Sequence, residues 1–421
     1  MSTAQRLEGR SFVAPDSPRS TDRASGTAWF DLTASFGWRR PPSGIVRVEQ
    51  ECLRQALRRN HPALRYCLYD AAMQCWYELP EADAAAILTR RHAPDGAAPN
   101  EADPVWQPRS GPIRLRAGDR YLNLSADQTL ERMVALFEAR QRLGLRVFGI
   151  LYDLIPVKFP HFYWNQADQS CARYLADVAN IVEHLFCISR SARQDMLDFC
   201  SDIGVAPPPM SVVRLGDALA AQPGEAGAEV ATLCQEPFIL TVGSIEIRKN
   251  HETLYRALLD LLARGIDDLP TLVFAGMKGW RIDDLWLSLE LDPRVRGRIR
   301  VLPHATDADL AALYRNCLFT VFPSQYEGWG LPVAESLAHG KLCLASHNSA
   351  IPEIAPEGMI ELIDTFDVRA WADAMLATSR DGAARAERER LIREQYQVTP
   401  WEQPAGEILD RFLAGALSDP P

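Results

Sequence analysis

Little in this chain ties it to the outside of a cell, to a membrane interior or to a nucleic acid. Its nine cysteines, at 52, 67, 75, 171, 187, 200, 234, 317 and 343, are an odd number with no Cys-x-x-Cys pair. Most stand in apolar runs, so they read as reduced, buried thiols rather than a disulfide frame. There is no run of 18 apolar residues, and the start, Met1-Ser2-Thr3-Ala4-Gln5-Arg6-Leu7-Glu8, is not followed by an apolar core. Neither a membrane span nor a secretion signal is expected, which points to the cytoplasm. Positive charge is also scarce: a formal net charge of −10 argues against neutralising many phosphates of a nucleic acid. The eight histidines lack metal-ligand spacing, and His251, His304, His339 and His347 read as loop or surface residues. No metal is expected.

What is present is apolar mass and alternation. With 47% hydrophobic residues over 421 positions, the chain can bury more than one core, and two domains of about 200 residues are the natural division. The polar first 25 residues, rich in Ser, Arg and Pro, read as a disordered tail. Strand-like runs at 29–33, 121–124, 147–152, 185–189 and 212–215 are separated by helix-like stretches at 46–59, 130–140, 168–181 and 192–199. Residues 83–112, rich in Ala, Pro and charge, look like a loop excursion. After the turn residues Gln222-Pro223-Gly224-Glu225-Ala226-Gly227, strand-like runs resume at 238–243, 272–276, 299–302, 318–322 and 342–345. The expected organisation is a tail at 1–25, an N-terminal α/β domain at 26–220, a linker at 221–236, a second α/β domain at 237–399 and a last helix at 400–421. Each domain reads as a doubly wound, mostly parallel sheet, the two facing a central cleft.

The stretch 46–59 carries Arg47, Arg54, Arg58 and Arg59 beside Val48, Cys52, Leu53 and Leu57. Two readings stay open: a basic amphipathic helix in peripheral contact with an anionic membrane, or an ordinary helix packed on the first sheet.

Two strand-to-helix turns carry the chemistry. In the first, an apolar run ends at Gly243, a short loop carries Arg248 and Lys249, and a helix follows with Leu254, Leu258, Leu261 and Leu262 on one face. In the second, the run 318–322 passes through Pro323-Ser324-Gln325-Tyr326 and Glu327-Gly328-Trp329-Gly330 into a helix at 331–339 that contains Glu335. Such turns aim free N–H groups and the positive end of a helix dipole beyond the sheet edge, where phosphates bind. Cations suit a diphosphate, and Glu327 and Glu335, seven residues apart between them, suit hydroxyls. Taken one at a time, these acids and bases also read as loop caps and solvated surface.

Residues 238–367 resemble the nucleotide-sugar-binding domain of the retaining GT-B glycosyltransferases of family 4. The resemblance rests on Val242-Gly243-Ser244 with Arg248-Lys249-Asn250, Leu272-Val273-Phe274-Ala275-Gly276, 310–317, Phe322-Pro323-Ser324, 327–335 and Ile351-Pro352-Glu353-Ile354. Pro42-Ser43-Gly44 with Ile45-Val46-Arg47-Val48, and Leu151-Tyr152-Asp153-Leu154-Ile155-Pro156, match more loosely. They are similar to segments of enzymes that build bacterial O-antigen, lipopolysaccharide and capsule chains, mannosyltransferases among them. The resemblance implies two Rossmann-like domains, a last helix that crosses back to the first, and hexosyl transfer from a nucleotide sugar, favouring a GDP-sugar and mannose, to a glycan or lipid-linked oligosaccharide.

By resemblance, Arg248 and Lys249 contact the diphosphate and Glu327 lies beside the donor sugar. Gly328, Trp329, Gly330 and Leu331 offer backbone N–H groups, Glu335 binds ribose hydroxyls, and Gly44 approaches the diphosphate. Ser244 stands where many relatives have arginine. Asp153 follows Tyr152 where relatives carry a His-Asp pair, so it either holds a hydroxyl or caps its loop. The cation-anchoring Asp-x-Asp of the other large glycosyltransferase fold is missing from the ends of the first-domain strands. Trp280 is placed near the base or within the packing of its own loop. Rival readings are a sugar-nucleotide epimerase or phosphorylase on the same fold, and a non-catalytic subunit of a polysaccharide assembly complex.

Overall fold

The computed structural model describes residues 26–38, 44–90, 108–126, 130–164, 167–217 and 225–415. The expected N-terminal tail, Pro42 and Ser43, and most of the expected loop excursion lie outside them. The chain divides into two compact units, Met1–Arg214 with Glu402–Pro421, and Leu215–Trp401.

The first unit is built on seven strands: β1 (Ala28–Asp31), β2 (Leu64–Asp70), β3 (Cys75–Leu79), β4 (Arg120–Asn123), β5 (Arg146–Leu151), β6 (Val182–Cys187) and β7 (Met210–Val212). Their order is β3-β2-β1-β4-β5-β6-β7. All neighbours are parallel except β3, which runs antiparallel to β2 as an edge hairpin. Helices cover the sheet, so interior strands such as β1 and β4 are buried at every residue and read as continuous runs instead of alternating ones. The 64–79 hairpin is absent from the sequence reading. The helix Glu81–Thr89 also corrects that reading, because it occupies the start of the expected loop at 83–112 and buries Ala84 and Ile87.

The helix Gly44–Arg59 settles one open alternative. Its Val46, Val48, Cys52, Leu53 and Ala56 are buried, and the last helix, Glu402–Ala414, packs along it with Ile408, Leu409 and Phe412 buried. Arg58 pairs with Glu402 at 2.9 Å and Arg59 with Asp410 at 2.6 Å. The apolar stripe that the sequence offered to lipid is occupied by protein. Among the described residues, no helix is long and apolar enough to cross a membrane.

The second unit has six parallel strands, β8 (Phe238–Val242), β9 (Thr271–Ala275), β10 (Ile299–Leu302), β11 (Thr320–Phe322), β12 (Cys343–Ser346) and β13 (Ile360–Ile363). The order is β10-β9-β8-β11-β12-β13. Successive strands step one way from β8 to β10, then the chain returns to lay β11 on the other side of β8. The strand order therefore reverses between β8 and β11, and doubly wound sheets bind ligands at the carboxyl edge of such a switch point. Within the stretch expected as a linker, Ala228–Leu233 forms a helix. Val230 and Leu233 are apolar at helical spacing and bury against Leu240, Val273 and Leu313, so the segment belongs to the second core.

Candidate functional site

The loop that leaves β8 is held on both sides. Ile245 N–H donates to the Met277 carbonyl at 2.8 Å, Gly279 N–H to the Ile245 carbonyl at 2.8 Å, and Ile247 N–H to the Trp280 carbonyl at 3.2 Å. Gly276 is required for this approach: a Cβ there would lie 2.0 Å from the Gly243 carbonyl oxygen. The chain then makes a single 3₁₀ turn, Ile247–Lys249, and enters the helix His251–Ala263 through Asn250 in the left-handed region at φ 57°. The Asn250 amide donates to the Pro323 carbonyl at 3.1 Å and the Thr365 carbonyl at 3.2 Å, which ties the loops after β8, β11 and β13 together. Asn348 adds a second tie, donating to the Ser324 carbonyl at 2.9 Å and to Thr365 Oγ1 at 2.7 Å.

Within this frame stands a cluster of four charges. Glu327 Oε1 lies 2.6 Å from Lys249 Nζ and Oε2 lies 2.8 Å from Arg248 Nη1. Ser324 Oγ donates to Oε1 at 2.6 Å, and the Glu327 N–H donates to Ser349 Oγ at 2.9 Å. Arg248 also donates through Nη1 to the Tyr326 carbonyl at 2.9 Å and through Nη2 to Glu246 Oε1 at 2.7 Å. Lys249 Nζ lies 4.9 Å from the centre of the Phe322 ring.

Burial alone would push the Glu327 carboxyl up, but Arg248 and Lys249 bring it down to about 2. It is a firmly ionised carboxylate. Burial draws the Lys249 ammonium below the ordinary lysine value against the pull of Glu327, and pushes Glu246 up against the pull of Arg248 and Lys249. His251, beside them, is neutral, with burial and then Lys249 lowering it to about 3. Its ring packs on Phe274, so it is a core residue and not the surface histidine its sequence suggested.

The helix Leu331–Ala338 starts from Gly330 at φ 112°, a conformation that favours glycine. The amides at such a start have no acceptor within the helix. Gly328, Trp329 and Gly330 are buried and Leu331 half-buried. One turn on, Glu335 is buried and accepts from Tyr314 Oη at 3.1 Å. Tyr314 stacks on His339, ring centres 5.1 Å apart.

Arg248, Lys249, Glu327 and Glu335 therefore all stand on the loops and helices that follow β8 and β11, with Ser244 half-buried just past Gly243. Gly44 and Asp153 belong to the first unit. Gly44 opens its helix at φ 52°, and Asp153 follows β5, its Oδ1 accepting the Ile155 N–H at 3.0 Å. Glu246, Asn250, Tyr314 and Ser349 received no role from sequence. Glu246 carried a faint signal, an acid two residues before Arg248 in a strand-to-helix loop.

Among the described residues, no three His, Cys, Asp or Glu side chains gather as metal ligands. A hollow of about 470 Å³ lies elsewhere in this unit, lined by Leu259, Leu262, Ala263, Pro293, Arg294, Arg296 and Arg298. Two of its guanidiniums are engaged, Arg294 with Asp292 and Arg298 with the Asp267 carbonyl.

Residues 230–398 match the family of glycosyl transferases group 1. Over 215 residues the chain is 27% identical to the serotype-specific mannosyltransferase WbdA of Escherichia coli, covering 48% of this chain and 26% of that one. Over 153 residues it is 33% identical to the O-antigen chain mannosyltransferase B of Escherichia coli, covering 36% of this chain and 39% of that one. The chain thus spans well under half the length of these curated relatives. Among solved structures, Anabaena HepE in complex with UDP-glucose superimposes with a TM-score of 0.57 at 13% identity, covering 91% of this chain and 99% of that one. The fold is that of the GT-B glycosyltransferases, and the segment 230–398, which contains the whole Glu327 cluster, matches the glycosyl transferases group 1 family.

Proposed function

We propose that the chain is a retaining hexosyltransferase of the family 4 type. It moves a hexose, mannose favoured, from a nucleotide sugar, GDP-sugar favoured, to a hydroxyl of a growing lipid-linked cell-surface glycan such as O-antigen or capsule. The observation that carries this reading is the Glu327 cluster at the point where the second sheet reverses its strand order. It joins two cations suited to a diphosphate with an ionised carboxylate suited to a sugar. The mannosyltransferase names of the relatives support the sugar and the class of acceptor.

On this reading Arg248 and Lys249 take the charge that builds on the diphosphate as the bond from the anomeric carbon to its oxygen breaks, electrostatic work that often dominates catalysis. The acceptor oxygen attacks from the same face, and its proton passes to the departing phosphate oxygen, so no side-chain base is needed. Glu327 orients the sugar and faces the positive charge that develops on its ring, and Glu335 holds the ribose. The backbone of Gly328, Trp329, Gly330 and Leu331 completes the diphosphate contacts, with Ser244 beside them; by resemblance alone Gly44 is assigned to the diphosphate and Asp153 to a hydroxyl, or to the cap it makes on the Ile155 N–H. Two fixed cations serve in place of a metal ion. The protein then works in the cytoplasm beside the inner face of the membrane. Contact with anionic lipid would use a surface other than the packed helix Gly44–Arg59.

The test is a thermal-shift panel of GDP, UDP, dTDP and ADP with and without EDTA, since a ligand bound only by the folded state raises its stability with the logarithm of concentration over Kd. The expected result is a selective rise with GDP that EDTA leaves unchanged. A selective rise with UDP or dTDP redirects the donor. No rise with any nucleotide, joined to no donor hydrolysis or transfer, overturns the reading in favour of a non-catalytic subunit.

A further inference from the structure

Glu327 holds both of the cations that the proposed donor needs. Its two oxygens lie 2.6 Å from Lys249 Nζ and 2.8 Å from Arg248 Nη1. With Glu246 on Arg248 Nη2 at 2.7 Å, the cluster contains two carboxylates and two cations. Its formal charge is zero, so it offers a diphosphate no net attraction as it stands. We propose that an anionic ligand enters by exchange of ion pairs: Arg248 Nη1 and Lys249 Nζ pass from Glu327 to the diphosphate, Glu246 keeps Arg248 in place, and Glu327 acts as a built-in competitor of the ligand. This rests on the reading of the site as a nucleotide-sugar site.

The two carboxylates differ in a way that fits these roles. Glu246 is 2% exposed and sits in a segment bonded on both sides to the 275–280 loop. A Cβ on Gly279 would meet Glu246 Cβ at 2.9 Å, so the neighbouring chain presses directly against that side chain. Glu246 has little room to leave Arg248. Glu327 follows Gln325 and Tyr326, both half-buried, in the loop after β11, and its side chain is 9% exposed where that of Glu246 is 2% exposed.

Breaking a buried pair is expensive when one charge is left alone, and exchange avoids this. Each cation leaves a carboxylate for a phosphate oxygen, and Glu327 keeps the Ser324 hydroxyl at 2.6 Å while gaining sugar hydroxyls. The carboxylate is thereby released toward the sugar only when a diphosphate has arrived, which couples donor binding to the placing of Glu327.

The test is calorimetric titration of GDP and of UDP into the wild-type protein, Glu327→Gln and Glu246→Gln, with turnover measured alongside. Removing the competitor adds one net positive charge within reach of the phosphates. Glu327→Gln should therefore bind nucleoside diphosphate roughly tenfold tighter than wild type although its turnover collapses. Glu246→Gln should bind roughly tenfold more weakly, because Arg248 loses the carboxylate that would hold it in place when Glu327 is exchanged for phosphate. General damage to the site would weaken both variants, so the opposite signs are diagnostic. Glu327→Asp keeps the charge but withdraws it by one methylene. It serves if Glu327→Gln does not fold, and should show a smaller tightening. Unchanged or weaker binding by both Glu327 variants, with normal binding by wild type, overturns the exchange and leaves the site reading standing. Failure of wild type to bind either nucleotide overturns the site reading, and the exchange with it.

Discussion

Each unit places a carboxylate and a guanidinium at the carboxyl edge of a parallel sheet, and the two pairs are built for different ends. In the first, the side chains of Arg132 and Asp31 are 0% and 1% exposed and lie 3.0 Å apart. Arg132 Nη2 donates to Ser125 Oγ, and Asp31 also accepts from the Thr33 N–H, the Thr33 hydroxyl and the Tyr121 hydroxyl. In the second, Arg248 and Glu327 are 13% and 9% exposed, and a second cation and a second carboxylate stand beside them. The first arrangement surrounds Asp31 with donors and fixes the start of helix Thr33–Gly37. The second is less deeply buried and gives Arg248 and Glu327 a spare partner each, the condition for exchanging one partner for a ligand. Near-complete burial suits the first pair to a structural role, and partial exposure with a spare partner is what the role proposed for the second requires.

The largest effect expected from breaking this contrast is Arg132→Leu. Asp31 would be left buried without its cation, a loss of about 3–5 kcal/mol, read as a lower urea midpoint of unfolding. Lys249→Met leaves Glu327 with Arg248 at 2.8 Å and the Ser324 hydroxyl, and leaves Arg248 still paired with Glu246. It should cost clearly less stability while abolishing nucleotide binding. Equal stability losses in the two variants would erase the distinction.

The sequence made the second pair visible and left the first hidden, for a physical reason. Runs ending at Gly243 and Phe322, each followed by a loop and an apolar helix face, are local patterns, and they placed Arg248, Lys249, Glu327 and Glu335 at strand-to-helix turns. The bonds among them are not local: Lys249 and Glu327 are 78 residues apart. Arg132 and Asp31, 101 apart, sit in a helix and a strand with nothing beside them to mark them. The β2–β3 hairpin was missed because β2 is buried at five of its seven positions and does not alternate. Its turn also lacks Gly, Asn or Pro and places Gln74 at φ 52°. Glu246 became legible only when Arg248 was seen to lean on it.

A second effect, of smaller size, sharpens the sealed side. Glu49 is 1% exposed, with Oε1 accepting the Ser35 N–H at 2.8 Å and Oε2 without a hydrogen-bond partner among the described residues. Burial, with Asp31 adding to it and Ser35 and Arg132 opposing, pushes its carboxyl up to about 7. A raised folded-state value means that the folded protein holds the proton more tightly than the unfolded chain. This contribution is fully present below about pH 4.5 and is lost as pH rises through about 7. Glu49→Gln should remove that fall and stabilise the protein at pH 8 by an amount on the order of 3 kcal/mol, since each tenfold gain in proton affinity is worth about 1.4 kcal/mol. Urea midpoints of wild type and variant at pH 5 and pH 8 test it. Parallel midpoints at both values would mean that Glu49 is solvated.

The smallest effect separates orientation from charge on the accessible side. Tyr314 is fully buried and its hydroxyl proton goes to Glu335 Oε2 at 3.1 Å. Burial, followed by Glu335, pushes the phenol well above its ordinary value, so it remains a donor throughout the working pH range. Tyr314→Phe keeps the ring and its stacking on His339 but removes one donor from a buried carboxylate, a stability loss of about 1–2 kcal/mol. If Glu335 holds the ribose, a carboxylate that has lost this orienting donor binds those hydroxyls less well. The donor KM should rise about threefold to tenfold, with kcat nearly unchanged, because the ribose is gripped equally in ground and transition states. A fall in kcat with KM unchanged would place Glu335 at the reacting sugar instead of the ribose.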